Sequence, residues 1–187
     1  MSLIHAKQKL RQEMKALRLK LAPTLPEASN LARNVFLKSF PNTLNVALYY
    51  PLKEELDTKP LLESLREKGS VISLPVITDH HLIFKKWDPK IALIKSSFQT
   101  FEPNSSSEII LPEIIVVPLL AFDRKGHRLG YGKGHFDRTL NAFRQNHKII
   151  AIGYAYSFQE LQNLPQEDCD ERLDYIITEK EIISILS

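Results

Sequence analysis

The 187-residue sequence contains one cysteine, Cys169, and one tryptophan. A lone thiol forms no intrachain disulfide, which excludes the stapled scaffold of a small secreted domain. Long apolar runs are missing too. The most apolar stretch, residues 114–122, is interrupted by Pro118 and falls far short of the ~20 residues of a membrane-spanning helix. Six glycines and eleven prolines without a period exclude a collagen-like or low-complexity chain. Neither sign of charge dominates, with 25 Lys and Arg against 22 Asp and Glu and a formal charge of +3. That balance permits an anionic ligand and leaves no electrostatic footprint of nucleic-acid binding. The opening residues, MSLIHAKQKLRQEMK, have no apolar core and include Glu13, so they read as neither signal nor transit peptide.

What is present suits a folded domain. Hydrophobic residues make up 43% and charged residues 25%, too much Leu, Ile, Val and Phe for whole-chain disorder. A chain of this length is expected to bury roughly 70% of its unfolded surface. The expectation is a single cytoplasmic domain spanning residues 1–187.

Periodicity sets out the elements. Leu10, Met14, Leu17 and Leu21 form one helical stripe that stops before Pro23. Thr24 and Glu27 resemble a capping box for a second helix reaching about Phe40. Residues 46–50 read as a buried strand, and a helix opens near Asp57 or Thr58 with Pro60 in its first turn and ends at Gly69. Strands are expected at 71–77, 82–87, 114–122, 148–155 and 175–178, with 114–122 central, and a loop at 95–108. Helices are expected at 137–145, 158–163 and 182–186. Strands alternating with helices predict an α/β fold, an open, mostly parallel sheet with helices on both faces. Ligands in such sheets gather at the carboxyl ends of strands, which points to the segments after Tyr50, Phe122 and Ala155.

The segment richest in chemistry is RLGYGKGHFDR, Arg128 to Arg138. Gly130, Gly132 and Gly134 alternate between a strand and a helix. Glycine lets an anion approach backbone N–H groups, the helix N-terminus adds partial positive charge, and Arg128 and Lys133 add full charges. Neither a P-loop nor a dinucleotide fingerprint fits the spacing. The composite reads as a phosphate cradle, or equally as a tight connection carrying solvated charges. Asp137 either partners the helix dipole or shares a Mg²⁺ with a phosphate, since Mg²⁺ takes one or two carboxylates plus phosphate oxygens. A second acid is available in Glu167-Asp168-Cys169-Asp170-Glu171, which also reads as a solvated acidic loop.

At these residues the chain resembles the 5-formyltetrahydrofolate cyclo-ligases, or methenyltetrahydrofolate synthetases. The resemblance rests on VPLLAFDRKGHRLGYGKGHFDR, on Lys7-x-x-Leu10-Arg11, on the segment from Tyr49 to Thr58, and on LPQEDCDERLDYIITE. It implies a fold similar to sugar-phosphate isomerases and CoA transferases. It also implies Mg-ATP-dependent conversion of 5-formyltetrahydrofolate to 5,10-methenyltetrahydrofolate, with release of ADP and phosphate through a phosphorylated formyl group. By position it assigns Lys7, Arg11 and the loop Arg128, Leu129, Gly130, Tyr131, Gly132, Lys133, Gly134, His135 and Phe136 to ATP. Arg128 and Lys133 become the charge stabilisers, Asp137 and Asp170 the magnesium carboxylates with Asp174 a nearby alternative. Tyr50, Glu55, Phe98 and His135 fall to the folate.

The sequence departs from the family pattern at three places. His135 stands where a Tyr is usual, Gln99-Thr100 where Gly-Ile is frequent, and Cys169 where many bacterial members have His. The partners so implied are small molecules, 5-formyltetrahydrofolate and ATP, bound by a monomer without nucleic acid or membrane. Read without the resemblance, a sugar-phosphate isomerase, a CoA transferase or a non-catalytic binding module fits the same sheet and anion loop.

Overall fold

The computed structural model describes residues 2–52, 54–79, 81–95 and 100–185. Helix α1 (Leu3–Leu21) starts at Ser2, whose hydroxyl accepts from the His5 amide, and buries Lys7, Met14 and Arg18. Pro23 then sits in a 3-10 turn, Ala22–Thr24. The expected capping box is not formed. The Thr24 hydroxyl turns back to donate to the Leu21 carbonyl at 2.7 Å, and Glu27 precedes α2 (Ala28–Ser39) without capping it. The tight turn places the carbonyl three residues back within reach before the next helix begins.

Strand β1 (Asn45–Ala47) is shorter than expected: the Leu48 amide still donates to the Ser73 carbonyl of the neighbouring strand, and Tyr49 and Tyr50 go on to border a cavity. Helix α3 (Lys59–Glu67) has Pro60 in its first turn and buries Leu61, Leu62 and Leu65. There follow β2 (Val71–Ile77), β3 (Leu82–Lys86), and an antiparallel pair of β4 (Ile94–Lys95) and β5 (Phe101–Glu102) that overlaps the expected loop. Pro118 splits the apolar run into β6 (Ile114–Val117) and β7 (Ala121–Phe122), and β7 pairs with β8 (Arg128–Leu129). The chain continues through α4 (His135–Asn146), β9 (Ile150–Tyr154), β10 (Tyr175–Ile177) and β11 (Ile182–Ser184).

Seven strands form one sheet in the order β11-β10-β9-β6-β1-β2-β3. Strands β10, β9, β6, β1 and β2 run parallel, while β11 and β3 close the edges antiparallel. The expected α/β class and the central place of residues 114–117 both hold. Alternation sorts the core. Val46, Ile114, Val116 and Ile152 meet Ala32 and Phe36 of α2 and Leu61 of α3 on one face, and Ala47, Ile115, Val117 and Ala151 meet Leu140 of α4 on the other. Met14 of α1 packs apart from both, against Leu120, Ala121 and Leu129 of the β7–β8 hairpin.

Two expected helices are absent. Residues 182–184 pair with β10, Ile182 opposite Ile177, as the β-branched pair Ile182-Ile183 favours over a helical turn. After a 3-10 turn at Ser157–Gln159 the chain extends, with the Leu161 amide donating to the Phe122 carbonyl at 2.8 Å. The Gln159 amide holds that turn down on the carbonyls of Leu119 and Leu120.

Candidate active site

A cavity of about 730 Å³ lies at the carboxyl ends of β1, β2 and β6. Three stretches enclose it: residues after β1, the glycine loop between β8 and α4, and the acidic segment 167–171 before β10. The first two follow the expected carboxyl-end rule. The third arrives well after Ala155, because residues 156–164 first cross the β7–β8 hairpin.

The glycine loop is shaped by two of its glycines. Gly132 has φ 95° and Gly134 φ 66°, left-handed values that L side chains rarely adopt, while Gly130 has no positive φ. Gly134 stands at the N-terminus of α4, so the turn aims that helix end at the cavity. Helix α1 supports the loop from beneath. Arg11 Nε donates to the Gly130 carbonyl at 2.9 Å, and its guanidinium lies against Gly132, 3.0 Å from where a Cβ would stand.

Cations and acids interleave around the loop. Lys7, buried on α1, donates to Asp170 at 2.5 Å and to Glu167 at 3.2 Å. Arg128 donates to Asp137 at 2.6 Å and to the Glu171 carbonyl, and the Glu171 amide donates to the same Asp137 oxygen at 3.1 Å. Burial pulls Arg128 below the usual guanidinium value, and Asp137 opposes that pull. Burial works against the charge of Glu171 as well, yet the bonds from Asn141 and Arg144 outweigh it and hold the carboxyl low. At the mouth, Lys133 is exposed and its carbonyl accepts from Arg138 at 3.0 Å. Burial, then Arg138 and Lys133, lowers the His135 imidazole, which favours its neutral form.

The cavity is also lined by Glu55, 8% exposed. Its Oε1 accepts from the Tyr131 hydroxyl at 2.5 Å and its Oε2 from the Leu52 amide at 2.8 Å. Burial raises its affinity for a proton, and both bonds oppose that. Tyr131 in turn accepts from Arg18 Nη2 at 2.8 Å. Tyr50 stands nearby with its ring against Phe101 and Trp87.

The structure therefore brings Lys7, Arg11, Tyr50, Glu55, Asp170 and the whole loop from Arg128 to Asp137 to one cavity. Leu129 and Phe136 do so as packing residues, Leu129 with Met14 and Phe136 with the core under α4. Phe98, together with the Gln99 departure, lies outside the described residues. Asp174 is not at the cavity; it accepts from Arg144 and from the Ala151 amide. Arg18 was not singled out by the sequence. Its signal was the spacing of Lys7, Arg11, Met14 and Arg18, which shares one helix face.

The donor set suits a magnesium ion. Asp137 and Asp170 face one cavity, and each has a single oxygen engaged, Oδ1 of Asp137 and Oδ2 of Asp170. Among the described residues no hydrogen bond is given to their second oxygens, so each carboxylate keeps one oxygen of the kind Mg²⁺ binds.

The profile of the 5-formyltetrahydrofolate cyclo-ligase family matches residues 3–179. The chain belongs to that family. It is thereby an enzyme of the ligase class. A cyclo-ligase relative from Haemophilus influenzae is 39% identical over 67% of this chain and 71% of its own length. One from Escherichia coli K12 is 34% identical over 73% and 79%. The solved 5,10-methenyltetrahydrofolate synthetase of Aquifex aeolicus superposes with a TM-score of 0.79 at 32% identity, covering 97% of this chain and 93% of that one. For this cyclo-ligase family member the fold is thus a shared architecture.

Proposed function

We propose that the protein uses Mg-ATP to convert 5-formyltetrahydrofolate to 5,10-methenyltetrahydrofolate, releasing ADP and phosphate. The observation that carries this reading is a single cavity lined both by a cationic glycine loop and by the buried carboxylate Glu55. A carboxylate there accepts hydrogen bonds from the N–H edge of a reduced pterin, beside the Tyr50 ring. The polyphosphate then lies along the loop, with Lys7, Arg11, Arg128 and Lys133 supplying positive charge.

The chemistry needs little covalent help from the protein. A formamide oxygen is a poor leaving group. Transfer of the γ-phosphoryl group from ATP to that oxygen breaks the terminal phosphoanhydride and releases ADP. The N10 nitrogen then attacks the formyl carbon and gives up its proton, and phosphate departs with the oxygen as the five-membered ring closes. Positioning and fixed charge supply most of the acceleration in such transfers. Arg128 is suited to this because its contacts to Asp137 and the Glu171 carbonyl fix it before the substrate arrives. Asp137 and Asp170 would hold a magnesium ion, which when bound neutralises phosphate charge. The unit acts as one domain and as a monomer in the cytoplasm.

Absorbance of methenyltetrahydrofolate, followed with purified protein, tests the reading. Product is expected only when 5-formyltetrahydrofolate, ATP and magnesium are all supplied, with one ADP per product. Product without ATP, or ADP without folate, defeats it. Glu55→Gln is expected to weaken folate binding by at least ~10-fold, the scale of a lost charge-assisted hydrogen bond.

A further inference from the structure

Among the buried groups that the proposed chemistry does not use, Arg18 stands out. It is 4% exposed and belongs to α1, and its Nε has no hydrogen-bond partner among the described residues. Its Nη1 makes only a long contact to the Leu119 carbonyl, 3.4 Å, whereas Nη2 donates to Tyr131 at 2.8 Å. The Arg18 guanidinium also lies over the Tyr131 ring, 5.7 Å from its centre. Helix anchoring alone does not call for a charge here, since Met14 one turn earlier anchors the same helix through apolar contact.

The chemistry of the three groups gives the chain of bonds a direction. A guanidinium has five donors and no acceptor, so the Tyr131 oxygen accepts from Arg18. Burial raises the Tyr131 phenol and keeps its proton in place. That one proton is then left to donate, and it meets Glu55 Oε1. With the Leu52 amide on Oε2, both carboxylate oxygens act as acceptors. The other groups acting on Glu55 are the neighbouring Glu54, which disfavours its charge, and Arg18 itself, which favours it. Lys15 on α1 faces the Tyr131 ring at 5.6 Å, and the Tyr49 phenol nearby is bonded to the Leu56 carbonyl.

We infer that Arg18 is a positioning residue for the folate end of the cavity, holding Glu55 ionised and aimed through Tyr131. Because Tyr131 lies between Gly130 and Gly132, the same contact ties Glu55 to the glycine loop. This rests on the assignment of Glu55 to folate made above.

The test is equilibrium titration of 5-formyltetrahydrofolate without ATP across a pH series. It compares wild type with Tyr131→Phe, Arg18→Met, Arg18→Lys, the Arg18→Met/Tyr131→Phe double variant and Glu55→Gln. Tyr131→Phe keeps the ring and removes the bridging hydroxyl. It is expected to weaken binding about tenfold at neutral pH. The pH below which binding is lost should move upward, because a Glu55 deprived of its donor protonates more readily. Arg18→Met should move that limit in the same direction with Tyr131 intact, and Arg18→Lys should return part of the shift. The double variant should be no worse than the more affected single one, as for members of one chain. An acid limit in Arg18→Met that coincides with that of wild type overturns the inference. If Arg18→Met does not fold, judged by circular dichroism, Arg18→Lys takes its place, and an acid limit equal to that of wild type in Arg18→Lys overturns the inference. Should Glu55→Gln bind folate normally, the folate assignment itself fails; if it binds weakly while the limits stay put, only the role of Arg18 fails.

Discussion

Glu55 is buried to 8% exposure, and that burial raises its affinity for a proton above that of an ordinary carboxyl. The folded state therefore holds the proton more tightly than the unfolded chain does. The stability this group contributes is complete below its unfolded value and is lost as pH rises through its folded value. A glutamine carries no such loss. Glu55→Gln is thus expected to gain thermal stability relative to wild type as pH rises from about 4 to 7, while it loses folate affinity. Unfolding midpoints measured at both ends of that range check this; a constant difference between variant and wild type would mean that charge burial at Glu55 costs nothing. The sequence marked Glu55 through its motif, but neither its burial nor its tie to Arg18 was legible there. An arginine within a charged amphipathic helix reads as solvated, and only tertiary packing puts it 2.8 Å from a tyrosine 113 residues away.

At the scale of elements, the glycine loop is where backbone conformation and ligand access meet. The alternate spacing suggested three equivalent glycines, yet only Gly132 and Gly134 need left-handed backbone. A Cβ on Gly132 would demand φ 95° and approach the Arg11 guanidinium to 3.0 Å, at a cost on the order of 1–3 kcal/mol. Nothing lies within 4 Å of a Cβ on Gly130. Calorimetry of Gly132→Ala is therefore expected to show a midpoint lower by ~2–10 °C, and Gly130→Ala one close to wild type. Equal effects would remove the conformational account of the loop. Elements with strong periodicity, such as α3 with its three buried leucines, were legible from sequence. The terminal strand was not, because three isoleucine-rich residues carry no usable period and their pairing with β10 is a long-range matter of sheet order. Thr24 misled for a different reason: its hydroxyl had a nearer carbonyl to serve.

Across the whole molecule, the cavity is held by bonds between distant parts of the chain. Lys7 reaches Asp170 across 163 residues, and Arg11 reaches Gly130 across 119. Sequence separation of this kind hides geometry even where each residue is recognisable by motif. It also means that the site balances its own charges, Lys7 against Asp170 and Glu167, Arg128 against Asp137. A polyphosphate that enters alone takes over the cations and leaves these carboxylates facing its negative oxygens. On the proposed reading Asp137 and Asp170 would hold a divalent ion, whose charge would offset that repulsion. Nucleotide and metal should then stabilise the fold far more together than separately. At a hundred times its dissociation constant, Mg-ATP is expected to raise the unfolding midpoint by about 5–10 °C. ATP at the same concentration in excess chelator should give only a small fraction of that shift. Asp137→Asn and Asp170→Asn should narrow the gap between the two conditions, since less carboxylate charge needs an ion between it and the phosphates. A shift independent of magnesium in the wild-type protein would place the triphosphate away from these acids, and the loop would have to be reassigned.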